Sequence, residues 1–120
     1  MRPPLVYIAG PYRNAVPWLC EQNIRAAETM GYRIALLGAY PIIPHSNTRA
    51  YFSSAASDAL WLAGTLELMR RCDAVVFLPS WTESSGARAE HAEAERLGIK
   101  VFGVGHVDDG SFAAWVRSRG

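Results

Sequence analysis

The chain is poor in cysteine, in charge of either sign and in long apolar runs, and each shortage closes off a class of protein. Cys20 and Cys72 stand alone among 120 residues, without a CxxC spacing and without nearby histidines to complete a ligand set. Disulfide stapling and a structural zinc are therefore not expected, and both thiols read as reduced packing residues. Twelve Lys and Arg face eleven Asp and Glu, interleaved, for a formal net charge of +1. Such a surface offers neither a basic face for a nucleic-acid polymer nor an acidic tail. No stretch approaches the roughly 20 apolar residues of a membrane span, and the start, Met1 to Tyr7, lacks the apolar run of a signal peptide. A cytoplasmic protein with no membrane partner is expected. Repeats, low-complexity segments and linkers are missing too, so residues 1–120 are expected to form a single domain. Half of those residues are hydrophobic, enough for a core without staples.

What is present alternates between short apolar runs and helical periodicities. Leu5 to Ala9 predicts a buried strand closing on Gly10 and Pro11. Pro17 to about Leu37 predicts one helix, with Cys20, Ile24, Ala27, Gly31 and Ile34 inward, Pro17 in its first turn and Gly38 as its C-terminal cap. A break at Gly31 with a strand over Tyr32 to Leu37 is the competing reading. Tyr40 to Ile43 is the second strand, and Pro44 to Ser57 a polar connection long enough to suggest function. A helix from Asp58 to Arg71 turns Trp61, Leu62, Thr65, Leu68, Met69 and Cys72 inward. Asp73 to Pro79 is a third strand, near-continuously apolar as buried parallel strands are, with Asp73 at its entrance in a structural role. Lys100 to Val104 is a fourth strand. Gly103 to Asp109 reads as a loop, and Ser111 to Arg117 as a terminal helix.

In an open α/β sheet ligands gather beyond the carboxyl ends of the strands. That places Gly10 and Arg13 in one site-facing loop and His45 and Asn47 in another. Arg13 is either an anion ligand or a solvated loop arginine, and His45 either part of a ligand wall or a structural histidine. Ser84, Ser85 and Gly86 open a further helix, whose first amides and hydroxyls suit an anion; the plainer reading is that one serine caps the helix.

Advancing about 100° per residue from Gly86 to Leu97 puts Ala87, Ala89, Ala92, Ala94 and Leu97 around one buried direction. Glu90 lies about 10° from the centre of that stripe. Arg88, His91 and Glu95 point to solvent. Glu93 also falls within the stripe, nearer its edge and positioned to pair with Arg96. Spacing leaves both carboxylates as inward candidates, with Glu90 closer to the loop.

Tyr7-Ile-Ala-Gly-Pro-Tyr-Arg13, Cys72-Asp-Ala-Val-Val and Ser84-Ser-Gly-Ala-Arg-Ala-Glu90 together resemble the nucleoside 2-deoxyribosyltransferase superfamily, including its nucleotide N-hydrolase branch. The resemblance runs from Leu5 to Phe102. It implies an α/β, flavodoxin-like three-layer sandwich with a parallel sheet of four to five strands. It also implies cleavage or transfer at the N-glycosidic bond of a small-molecule nucleoside or nucleotide, without a cofactor or metal. In that pattern the carboxylate at Glu90, rather than Glu93, attacks the sugar's anomeric carbon, as in retaining glycoside hydrolysis, and Tyr7 orients it. Serine at position 84 and a base at Arg13 imply a 5′-phosphate on the substrate. A homodimer or higher homo-oligomer is implied as well, and Trp18, Trp61, Trp81 and Trp115 are many large aromatics for so small a chain to bury. One position departs from the pattern: Thr65 stands where an aspartic acid is expected to protonate the departing base, leaving His45 as a possible acid. A non-catalytic module that binds or senses a nucleotide or nucleotide sugar in the same pocket is the alternative.

Overall fold

The structure, a computed structural model, describes residues 2–48 and 58–119. Most of the polar connection before Asp58 therefore lies outside the described residues. Strand β1 (Leu5–Ala9) leads to helix α1 (Pro17–Leu36), β2 (Tyr40–Ile42), a one-turn helix α2 (Pro44–Asn47), α3 (Asp58–Arg70) and β3 (Ala74–Phe77). A 3-10 turn (Trp81–Glu83) then precedes α4 (Ser85–Leu97), β4 (Lys100–Gly103), α5 (Val104–Asp108) and α6 (Ser111–Arg119).

The four strands are all parallel, in the order β2-β1-β3-β4. Strand β1 is central, with Tyr7 beside Ile42 on one side and Val75 on the other. Pro41, which cannot donate to a ladder, falls in β2 at the sheet's edge. Because side chains alternate along a strand, β1 feeds two cores. Val6 and Ile8 join Ala27, Met30 and Ile34 of α1 and Phe112 and Val116 of α6. Tyr7 and Ala9 join Val75, Phe77, Met69 of α3 and Ala94 of α4 on the opposite face. This is a three-layer α/β arrangement.

Helix α1 runs unbroken through Gly31. A side chain there would meet Ile43 Cδ1 at 2.5 Å, so glycine lets α1 lie close to the β2 edge. Gly38 ends the helix with φ +99, the left-handed geometry that favours glycine. Asp73 has the structural role expected: its carboxylate accepts the Leu5 amide at 2.8 Å and pairs with Arg119 at 2.9 Å.

Three expectations need correction. The segment after Pro44 begins as the one-turn helix α2, and Gly103 to Asp109 forms α5 instead of a loop; Val107 of α5 is buried in the α1-side core. Both helices are too short to show a period in sequence. On α3, Leu68 is exposed and Leu66 packs against the core instead, because the helix is rotated relative to the wheel.

Candidate functional site

The strand order changes direction between β1 and β3, so the loops after these two strands diverge and leave a crevice. A cavity of about 740 Å³ occupies it. Gly10 makes the crossing possible: a Cβ there would lie 2.8 Å from Leu78 at the end of β3. Ser80, in the same crevice, adopts φ 66 without being glycine and so holds local backbone strain.

The floor is a polar pair in an otherwise apolar layer. Ala87, Glu90 and Ala94 are the buried positions of α4, and Glu90 reaches the sheet where Tyr7 rises from β1. The Tyr7 hydroxyl donates to Glu90 Oε2, with both side chains buried. Burial pushes the Glu90 carboxyl up to about 7, opposed by the Tyr7 hydrogen bond, which favours the ionised form. Burial, with the Glu90 charge beside it, raises Tyr7 well above the ordinary phenol value, so Tyr7 keeps its proton and acts as a donor. The hydroxyl of Thr65 approaches the Tyr7 phenol and also donates to the Leu62 carbonyl at 3.0 Å. Glu93, one turn along, behaves oppositely: Arg96 and Arg70 hold its carboxyl down to about 2. It belongs to a surface ion-pair network and does not line the cavity.

At the near end of α4, Ser84 is the N-cap, its Oγ accepting the Ala87 amide at 3.2 Å. Its hydroxyl proton and the first-turn amides of Ser85 and Gly86 remain available to an anion, since the first amides of a helix have no intrahelical acceptor. Arg13 lies at the exposed mouth of the same cavity. His45 is buried against the Tyr12 ring, centroids 5.1 Å apart, with Nε2 bonded to the Pro11 carbonyl at 2.9 Å. Burial lowers its pKa, so the ring is neutral and its one N–H is committed to Pro11. That geometry does not suit the acid role considered for His45.

The structure thus gathers Tyr7, Gly10, Arg13, His45, Ser84, Ser85, Gly86 and Glu90 around one cavity, and leaves Asn47 out. Two residues along a helix from His45 is a rotation of about 200°, which turns Asn47 to solvent, while Thr48 comes back to the lining. Sequence reasoning also missed Ser80, which no motif marks, and read Trp61 and Leu62 as core when they are half-buried cavity wall. His91, expected in solvent, stacks on Trp81 with ring centroids 4.2 Å apart and meets the edge of Phe77. The 3-10 turn swings Trp81 over a helix face that the wheel alone leaves bare. Among the described residues no group of three or more His, Cys, Asp and Glu is placed to hold a metal ion, and no helix is long and apolar enough to cross a membrane.

Residues 4–103 match the family described as Domain of unknown function (DUF7768). The chain belongs to this family. The family's description carries no activity, and no curated protein matches the chain. Among solved structures, the DUF7768 fold seen here is similar to that of a 2-deoxyribosyltransferase from the psychrotolerant bacterium Bacillus psychrosaccharolyticus. The TM-score is 0.63 at 16% identity, over 82% of this chain and 70% of that one. At that identity the likeness is one of fold.

Proposed function

We propose that the protein cleaves or transfers at the N-glycosidic bond of a nucleoside or nucleoside monophosphate, with Glu90 as nucleophile. The observation that carries this reading is the buried Glu90 carboxyl, held by the Tyr7 phenol at the floor of a cavity whose rim suits a phosphate. A carboxylate of raised pKa is poorly solvated and reactive toward an electrophilic C1′, and the fixed Tyr7 hydrogen bond aims one oxygen. Arg13, Ser84, Ser85 and Gly86 bind the 5′-phosphate, which fixes the sugar relative to Glu90. The fold likeness to a protein described as a 2-deoxyribosyltransferase supports the same chemistry. No cofactor enters this scheme.

The active form is proposed to be a cytoplasmic, single-domain protein assembled as a homodimer or higher homo-oligomer. The exposed apolar side chains Trp18, Tyr32, Leu36 and Tyr40 around α1 and β2 support association. The other three tryptophans are at least partly covered within the chain, so the argument from four tryptophans reduces to Trp18. A monomer by light scattering at micromolar concentration counts against it.

The test of activity is incubation of the purified protein with nucleosides and nucleoside monophosphates, with chromatography for free base. Release that disappears in Glu90→Gln is expected; no release from any member overturns the reading. One observation favours a second reading, a non-catalytic sensor of a nucleotide or nucleotide sugar: Thr65 supplies a hydroxyl, not a carboxylic acid, beside Tyr7. Thermal stabilisation by a ligand that stays intact for hours, equally in Glu90→Ala, selects the sensor.

A further inference from the structure

Breaking a bond from C1′ to a neutral base leaves the ring nitrogen with an extra electron pair, which an acid must protonate as the bond stretches. Among the described residues, none of the cavity's side chains is fitted to that task. Tyr7 holds its proton firmly and directs its O–H in a hydrogen bond to Glu90; His45 is neutral with its N–H on Pro11; Thr65 is a hydroxyl bonded to Leu62. Glu83 is exposed at the rim, on the turn before Ser84. Residues 49–57 contain no Asp, Glu or His, and Asp58 opens α3 two turns before Thr65, about 10 Å away by helical rise.

We infer that the substrate carries its leaving group already cationic: a nucleotide whose C1′ is joined to the quaternary nitrogen of a pyridinium or N-alkylated purinium ring. This inference rests on the N-glycosidic reading above and names its substrate class. The step balances without an acid. A Glu90 carboxylate oxygen bonds to C1′ as the C1′–N⁺ bond breaks; the bonding pair goes to the ring nitrogen, cancelling its charge, and the heterocycle departs neutral. Water then attacks C1′, the glycosyl–Glu90 bond breaks with its electrons returning to the carboxylate, and the water's proton passes to solvent.

The cavity's electrostatics agree. A cation against Glu90 favours the ionised, nucleophilic form, which a neutral base does not. Trp61 of α3 lines the same cavity, an aromatic side chain of the kind a flat cation prefers, and Glu83 stands at the rim. Arg13 stands on the loop after β1 and the Ser84 to Gly86 cradle opens α4, whereas Trp61 and Thr65 belong to α3.

The experiment compares base release from nicotinamide mononucleotide and N7-methylguanosine monophosphate with release from uridine monophosphate and guanosine monophosphate, with Glu90→Gln as control. Release from the cationic pair at least about 100-fold faster than from the neutral pair is expected. It should rise along a single limb as pH increases through about 7, without a falling limb that reports a required acid. Neutral nucleotides cleaved as fast or faster overturn this inference and leave the N-glycosidic reading standing. Release from none of the four, nor from any member of the wider panel, overturns both.

Discussion

On one face of the sheet Val6, Ile8 and Val76 meet Ile34, Phe112 and Val116 in a cluster of apolar side chains. On the other, Tyr7, between Val6 and Ile8 in the same strand, meets Glu90. The first face is a core whose value is its packing. The second keeps a carboxyl where burial leaves it poorly solvated, a cost to folding that a hydrophobic pair would avoid. Helix α4 repeats the contrast within a single turn, since Glu93 at the surface is stabilised as an anion by two arginines while Glu90 is destabilised as one. A burden placed only at the crevice, on the side chain that faces the cavity, marks chemistry rather than architecture.

The contrast breaks most sharply at Glu90 itself. Glu90→Gln should lower base release by about 1,000-fold or more while leaving the protein folded, read by steady-state kinetics beside a melting curve. Ile34→Ala, on the apolar face, should do the reverse: a loss of about 2–5 kcal/mol in denaturant unfolding, with the pH profile of activity unmoved in the folded fraction.

Stability against pH sharpens the comparison. The Glu90 carboxyl titrates near 4.5 when unfolded and at about 7 when folded. Between these values the folded state binds the extra proton, so the contribution is full below about 4.5, is lost as pH rises toward 7, and is flat beyond. The Glu90 contribution to that loss is about 3 kcal/mol. It is read as the difference between the parent protein and Glu90→Gln when unfolding is measured at pH 5 and pH 8, since buried His45 acts in the opposite direction in both. Tyr7→Phe removes the hydrogen bond that favours the ionised carboxylate. It should cut activity near pH 7 by about 10- to 100-fold, shift the pH–rate midpoint upward, and cost about 1 kcal/mol in stability. Glu93→Gln should have the smallest effect: a slight fall in melting temperature and unchanged base release.

Much of this was legible in the sequence because two periods were long enough to read. Five residues of β1 and thirteen of α4 gave both the sheet and the inward direction of Glu90, and Gly38 and Gly10 gave the turns that end α1 and open the crevice. Where a feature depends on a neighbouring element, the sequence was mute. Nothing in α4 announces that Trp81 will cover His91, and helices of four and five residues, α2 and α5, carry too little pattern to distinguish them from loops. For the same reason spacing left Glu90 and Glu93 both open, and Asn47 stood beside His45 in sequence while facing away from it in space.

The most direct measurement of the central claim is intact-protein and peptide mass spectrometry after incubation with a nucleotide bearing fluorine at the sugar 2′ position. The fluorine destabilises the oxocarbenium-like transition states and slows turnover of a covalent intermediate. The account predicts a glycosyl adduct on the peptide containing Glu90, absent in Glu90→Gln. Base release from the unfluorinated nucleotide with no adduct, or with the sugar on another residue, would contradict it.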